Sequence, residues 1–123
     1  MKREEEAVLL RIFIGEHDRY RGKPLYQYLV EVFRREGLSG ATVFRGIAGF
    51  GKNSILQSTS ILRLSTDLPI VIEVVDKREK IEKIKPILDE AVTEGLVTEE
   101  KVRIILYEGN SHQNGTTMEE EYR

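Results

Sequence analysis

The sequence predicts an α+β sandwich: a four-stranded sheet carrying two helices, in the order strand, helix, strand, strand, helix, strand. Three observations carry this. Apolar, largely β-branched runs bounded by turn residues stand at 7–14, 70–76 and 101–107. Two stretches, one following Pro24 and one from Ile81, place apolar residues at helical spacing. Their order along the chain is the split β-α-β arrangement of ferredoxin-like domains.

Composition sets the outer limits. A chain of 123 residues makes one domain, able to bury roughly two-thirds of its unfolded surface without disulfides or a structural metal. Lys and Arg number 19 against 21 Asp and Glu, a net charge of −2, which speaks against nucleic acid as a partner. The absence of cysteine removes disulfides, thiolate zinc sites and a cysteine nucleophile together. The charged start Met1-Lys2-Arg3-Glu4-Glu5-Glu6 reads as neither signal peptide nor membrane span, so residues 1–6 are expected as an extension ahead of a domain at 7–107. A cytoplasmic protein with no direct membrane insertion is the expectation. A charged content of 33% with few Asn and Gln points to a heat-adapted source.

Taken in order, Ala7 to Ile14 suits a central strand, and the polar residues from Gly15 to Gly22 form a connection. From Pro24 onward, Leu25, Tyr28, Leu29, Val32 and Phe33 make one helical stripe, closed by Gly37 at the left-handed position past the helix end. Gly40 to Ala48 is the second strand. No clean period runs from Gly49 to Leu68, and a connection of that size in a compact domain is usually a binding loop. Ile70 to Asp76 is the third strand. Ile81, Ile84, Leu88, Ala91 and Val92 repeat at helical spacing up to Gly95, expected as the cap, while Pro86 predicts a kink or a later helix start. Lys101 to Tyr107 is the fourth strand, and the polar residues 108–123 read as a disordered tail.

Crossover rules are expected to put the first and third strands side by side and parallel in the centre, with both helices on one face. Val8, Leu10, Ile12, Ile14, Ile70, Ile72, Val74, Val102, Ile104 and Leu106 are assigned to the helix side. The opposite set still holds Leu9, Phe13, Val71, Val75, Ile105 and Tyr107, with Arg11, Glu73 and Arg103 among them. Burying one apolar side chain contributes roughly 1.5–3 kcal/mol, so leaving that many in water forgoes an amount comparable to total stability. With no third layer in the chain, a second copy of it is the expected cover.

Between the second and third strands, Gly46-Ile-Ala-Gly49-Phe-Gly51-Lys52-Asn53 nearly spells the phosphate-binding pattern G-x-x-x-x-G-K-[ST], with Asn53 in place of the hydroxyl residue. Gly46 is better explained by a tight exit from the strand, whereas Gly49, Gly51 and Lys52 suit an anion. Arg45, Arg63 and Arg103 are of a type to reach phosphate. Glu16, His17 and Asp18 are the one compact group with metal-ligating side chains, in no recognised ligand spacing. No Ser/His/acid triad assembles, and the expectation is a regulator, not a catalyst.

Several linked motifs, Gly15-Glu16-x-Asp18, Lys23-Pro24-Leu25-Tyr26, Gly40-Ala41-Thr42-Val43-x-Arg45-Gly46-Ile47-x-Gly49-Phe50-Gly51, Asp67-Leu68-Pro69-Ile70-Val71-Ile72-Glu73 and Asp76, resemble the uncharacterised prokaryotic family 190 of the domains of unknown function. The resemblance covers about Val8 to Tyr107. It implies a PII-like fold, a homotrimer with sheets turned toward the threefold axis, and a long loop at 50–68 that contacts a protein partner. It further implies adenine nucleotide as the ligand, in clefts between subunits, with the turn Thr93 to Lys101 at the cleft of the neighbouring subunit. The residues assigned to that ligand are Arg45, Gly49, Gly51, Lys52 and Arg103; no cofactor is required. The alternatives are a small nucleotide hydrolase built on Lys52 and a metal-responsive trimer using Glu16, His17 and Asp18.

Overall fold

The computed structural model describes residues 1–50 and 67–109, with the backbone of 57–58. Its elements are β1 (Lys2–Gly15), β2 (Arg19–Tyr20), β3 (Lys23–Pro24), α1 (Leu25–Arg35), β4 (Thr42–Arg45), β5 (Ala48–Gly49), β6 (Gln57–Ser58), β7 (Pro69–Asp76), α2 (Arg78–Ala91) and β8 (Leu96–Tyr107). The main sheet runs β4-β7-β1-β8, antiparallel at every step. The first and third strands are therefore central neighbours but antiparallel, not parallel. The α1 crossover relates β1 to β4, and β7 fills the space between them running the other way.

β1 alternates as its sequence dictates: Val8, Leu10, Ile12 and Ile14 are buried, and with Ile70, Ile72 and Val74 of β7 they meet Leu25, Leu29 and Phe33 of α1 and Ile81, Ile84 and Leu88 of α2. α1 ends as its glycine predicts. Gly37 has φ +89, its N–H bonds the Arg34 carbonyl at 3.1 Å, and Leu38 N–H bonds the Phe33 carbonyl at 3.0 Å, the paired closure that caps helices through a left-handed residue. α2 begins at Arg78 and continues through Pro86, whose ring removes one backbone donor. Gly95 is not its cap: the helix stops at Ala91, with Val92 N–H on the Leu88 carbonyl at 2.9 Å. Gly95 is small because β1 is close, a Cβ there standing 2.8 Å from the Phe13 carbonyl oxygen.

Two strands are longer than their apolar runs. β1 begins at Lys2, so the charged residues expected ahead of the first strand are part of it, and Lys2 to Ala7 pair with Tyr107 to Val102. β8 begins at Leu96, so most of 93–101 is strand and not turn. β7 ends at Asp76 opposite Val8, leaving residues 2–7 of β1 and 102–107 of β8 as a two-stranded ribbon.

The register also corrects the facing of β8. Val102, Ile104 and Leu106 stand opposite Ala7, Glu5 and Arg3 on the side without helices, while Arg103, Ile105 and Tyr107 stand opposite Glu6, Glu4 and Lys2 on the helix side. Apolar alternation could not settle this, because neither helix covers that part of β8 and both of its faces are largely exposed. Where α2 does approach the strand, Glu99 receives Arg78 at 2.8 Å and Lys85 at 2.7 Å, and these cations hold its carboxyl down to about 2.

Candidate ligand site at the feet of the 50–68 segment

β4 and β7 deliver the two ends of the long segment to one edge of the sheet. Gly46 N–H donates to the Pro69 carbonyl at 2.7 Å, and a Cβ on Gly46 would stand 2.6 Å from Pro69 Cγ; on Gly49 the same distance is 3.1 Å. Gly46 is thus required by the ring of Pro69, which packs where its side chain would be, and a Cβ on Gly49 would press on the same ring. Gly49 then pairs with Gln57 in the small β5-β6 ladder. Gly51, Lys52 and Arg63 lie outside the described residues, as do most of 50–68.

Around these feet the loop after β1 supplies the polar groups. Arg45, at the end of β4, holds Glu16 with Nε 2.8 Å from Oε2 and Nη2 3.3 Å from Oε1. Asp67 accepts the His17 backbone N–H at 2.9 Å, and Glu16 N–H donates to the Leu68 carbonyl at 2.8 Å. Asp18 turns back to accept Gly15 N–H at 2.9 Å. Glu16 and Asp18 are thereby occupied with a guanidinium and a backbone amide, and the described residues contain no group of three acidic or histidine side chains placed to hold a metal ion. Arg103 is not part of this cluster within one chain. It lies toward the other end of β1, with Nε 3.1 Å from Glu4 Oε1. The roles of Asp67 and Pro69 were not read from the sequence, although paired glycines opposite a proline are the signal that would have found Pro69.

The side of the sheet without helices carries a cleft of about 640 Å³ between the ribbon and the start of β4, lined in part by Arg3, Glu5, Thr42, Val75, Ile104 and Leu106. At its edge lies Asp76, the one buried charged residue among those described. Burial works against its charge, but the backbone N–H groups of Ser39 and Lys77, each at 2.8 Å, the Ser39 hydroxyl and the Lys80 ammonium together hold its carboxyl below the ordinary range. This ties the loop after α1 to the start of α2.

The chain has the ferredoxin-like fold that solved PII-like proteins share. Residues 7–104 match family 190 of the domains of unknown function, described as "Uncharacterized ACR", and the chain belongs to that family. A UPF0166 protein of Aquifex aeolicus is 43% identical over 99 residues, 79% of this chain and 91% of the relative. A UPF0166 protein of Methanocaldococcus jannaschii is 39% identical over 87 residues, covering 71% and 80%. Among solved structures, CPII from Thiomonas intermedia K12, a nitrogen regulatory PII-like protein bound to ADP, AMP and bicarbonate, superimposes with TM-score 0.57 at 15% identity, over 83% of this chain and 91% of that one. A putative PII-like signaling protein from Thermus thermophilus gives 0.55 at 18% identity, over 89% and 96%. No helix among the described residues is long and apolar enough to cross a membrane.

Proposed function

We propose that the chain is a homotrimeric small-ligand sensor that takes an anion, an adenine nucleotide foremost, between subunits beside the feet of the 50–68 segment. The observation that carries this reading is the clamp itself. Pro69 against Gly46 and Gly49, and Arg45 on Glu16, hold the feet of a segment whose glycine-lysine sequence, Gly49 to Lys52, follows immediately. Arg45 is a cation held by a carboxylate that a phosphate group can replace, and the ligand thereby changes how the segment is anchored. The ADP and AMP bound to CPII support an adenine nucleotide as the first ligand to try.

The bare side of the sheet supports assembly. Phe44, Val75, Leu96 and Leu106 are exposed on it in the single chain, while Leu9, Phe13 and Val71 are half-buried. Covering this surface with further copies removes it from water and creates the boundaries in which a shared ligand sits. The ligand then alters the affinity of the 50–68 segment for a protein partner. Calorimetric titration with ATP, ADP, AMP and cyclic nucleotides tests the reading: heat is expected for at least one, lost in Lys52→Ala and reduced in Arg45→Ala. Silence across the whole set contradicts it.

A further inference from the structure

The ribbon formed by residues 2–7 and 102–107 has an open edge on each side. On one side, β1 has lost β7 as a neighbour; on the other, β8 is the outermost strand of the sheet. Open strand edges are templates for pairing, and natural proteins cover them or arm them with charge. Here the charges are complementary. Glu6 on the β1 edge and Lys101 on the β8 edge point to the same face, and neither side chain has an ion-pair partner among the described residues.

We propose that the ribbons join the subunits edge to edge, the outer edge of β8 in one copy pairing with the open edge of β1 in the next. This rests on the homo-oligomer reading above. Because β1 and β8 are antiparallel within a chain, rotation about an axis along the strands brings β8 of one copy antiparallel to β1 of the next, and the ring closes with alternation kept at every seam. A register with Lys101 opposite Glu6 of the next copy sets Arg103 opposite Glu4 of that copy, so two cations meet two carboxylates on one face. The same contact shields Ile104, Ile105 and Leu106 of the ribbon, of which Ile105 is 48% exposed in the isolated chain. It also brings Arg103 to a subunit boundary.

Charge reversal tests the seam. Sedimentation velocity is run on the full chain, on Glu6→Lys, on Lys101→Glu and on the double variant, with circular dichroism as the check on folding. Each single variant is expected to raise the midpoint concentration of assembly about tenfold or more, and the double variant to restore it. Single variants that assemble like the parent, or a double variant no better than the singles, overturn the edge-to-edge seam while leaving the oligomer standing. A parent chain that sediments as a single subunit overturns the oligomer reading itself.

Discussion

Arg11 Nε lies 2.8 Å from Glu73 Oε2, two residues directly opposite in the β1-β7 register, at the middle of the sheet face that no helix covers. Arg11 Nη1 also reaches Glu100 Oε1 at 2.9 Å on β8, so one guanidinium separates two carboxylates on three adjacent strands. Its pKa is raised, the hydrogen bond to Glu73 being the largest cause. Replacing Arg11 by Leu leaves Glu73 and Glu100 facing each other without a cation. The thermal midpoint is expected to fall, and to fall less in the Arg11→Leu, Glu73→Gln double variant and in high salt. A salt-independent loss equal in single and double variants would show that packing, and not charge, is what Arg11 provides.

Asp76 predicts an acid limb. Its folded pKa lies below the value of 3.8 for an isolated carboxyl, so its contribution is complete above that value and is lost as pH falls through the folded pKa. Urea midpoints measured downward from pH 5 should decline, and Asp76→Asn should flatten part of that decline. Asp76→Ala also leaves the Ser39 and Lys77 amides unpaired, at a cost of about 1–3 kcal/mol at neutral pH.

The glycines separate by what surrounds them. Gly46→Ala drives a methyl to 2.6 Å from Pro69 Cγ and is expected to destabilise by about 1–3 kcal/mol and to weaken ligand binding with it. Gly40→Ala meets nothing within 4 Å and has no positive φ, so it should be neutral or stabilising by about 0.4–1 kcal/mol. Chemical denaturation of the two variants side by side decides this.

Neighbouring residues of β1 give a second contrast. Ile12 is fully buried, and Ile12→Ala should cost about 2–5 kcal/mol at any protein concentration. Phe13 points to the bare face, and the loss in Phe13→Ala should grow with protein concentration, because in the proposed assembly another copy completes its contacts. Thermal melts across a hundredfold dilution distinguish the two behaviours.

Where the sequence was legible, the local signal and the tertiary demand agreed. Leu25, Leu29, Val32 and Phe33 form the buried stripe of α1, Gly37 closes it, and Ile70, Ile72 and Val74 bury as their alternation requires. It was misleading where a partner distant in sequence decides. Lys2 to Glu6 have poor strand propensity and extend only because β8 pairs with them. The facing of Val102 to Tyr107 was inverted because both sides of that segment are apolar and uncovered. The β2-β3 hairpin was missed because its turn uses Arg21, at φ +50, ahead of Gly22, where Asn or Gly is the usual signal. At the candidate site the glycines were visible, but the ring that two of them lie against, Pro69, is far along the chain.

Light scattering of the purified chain in dilute buffer bears most directly on whether further copies cover the bare face of the sheet. A mass three times the 14.2 kDa of one chain is expected. A particle of 14.2 kDa that does not change on concentration would contradict it.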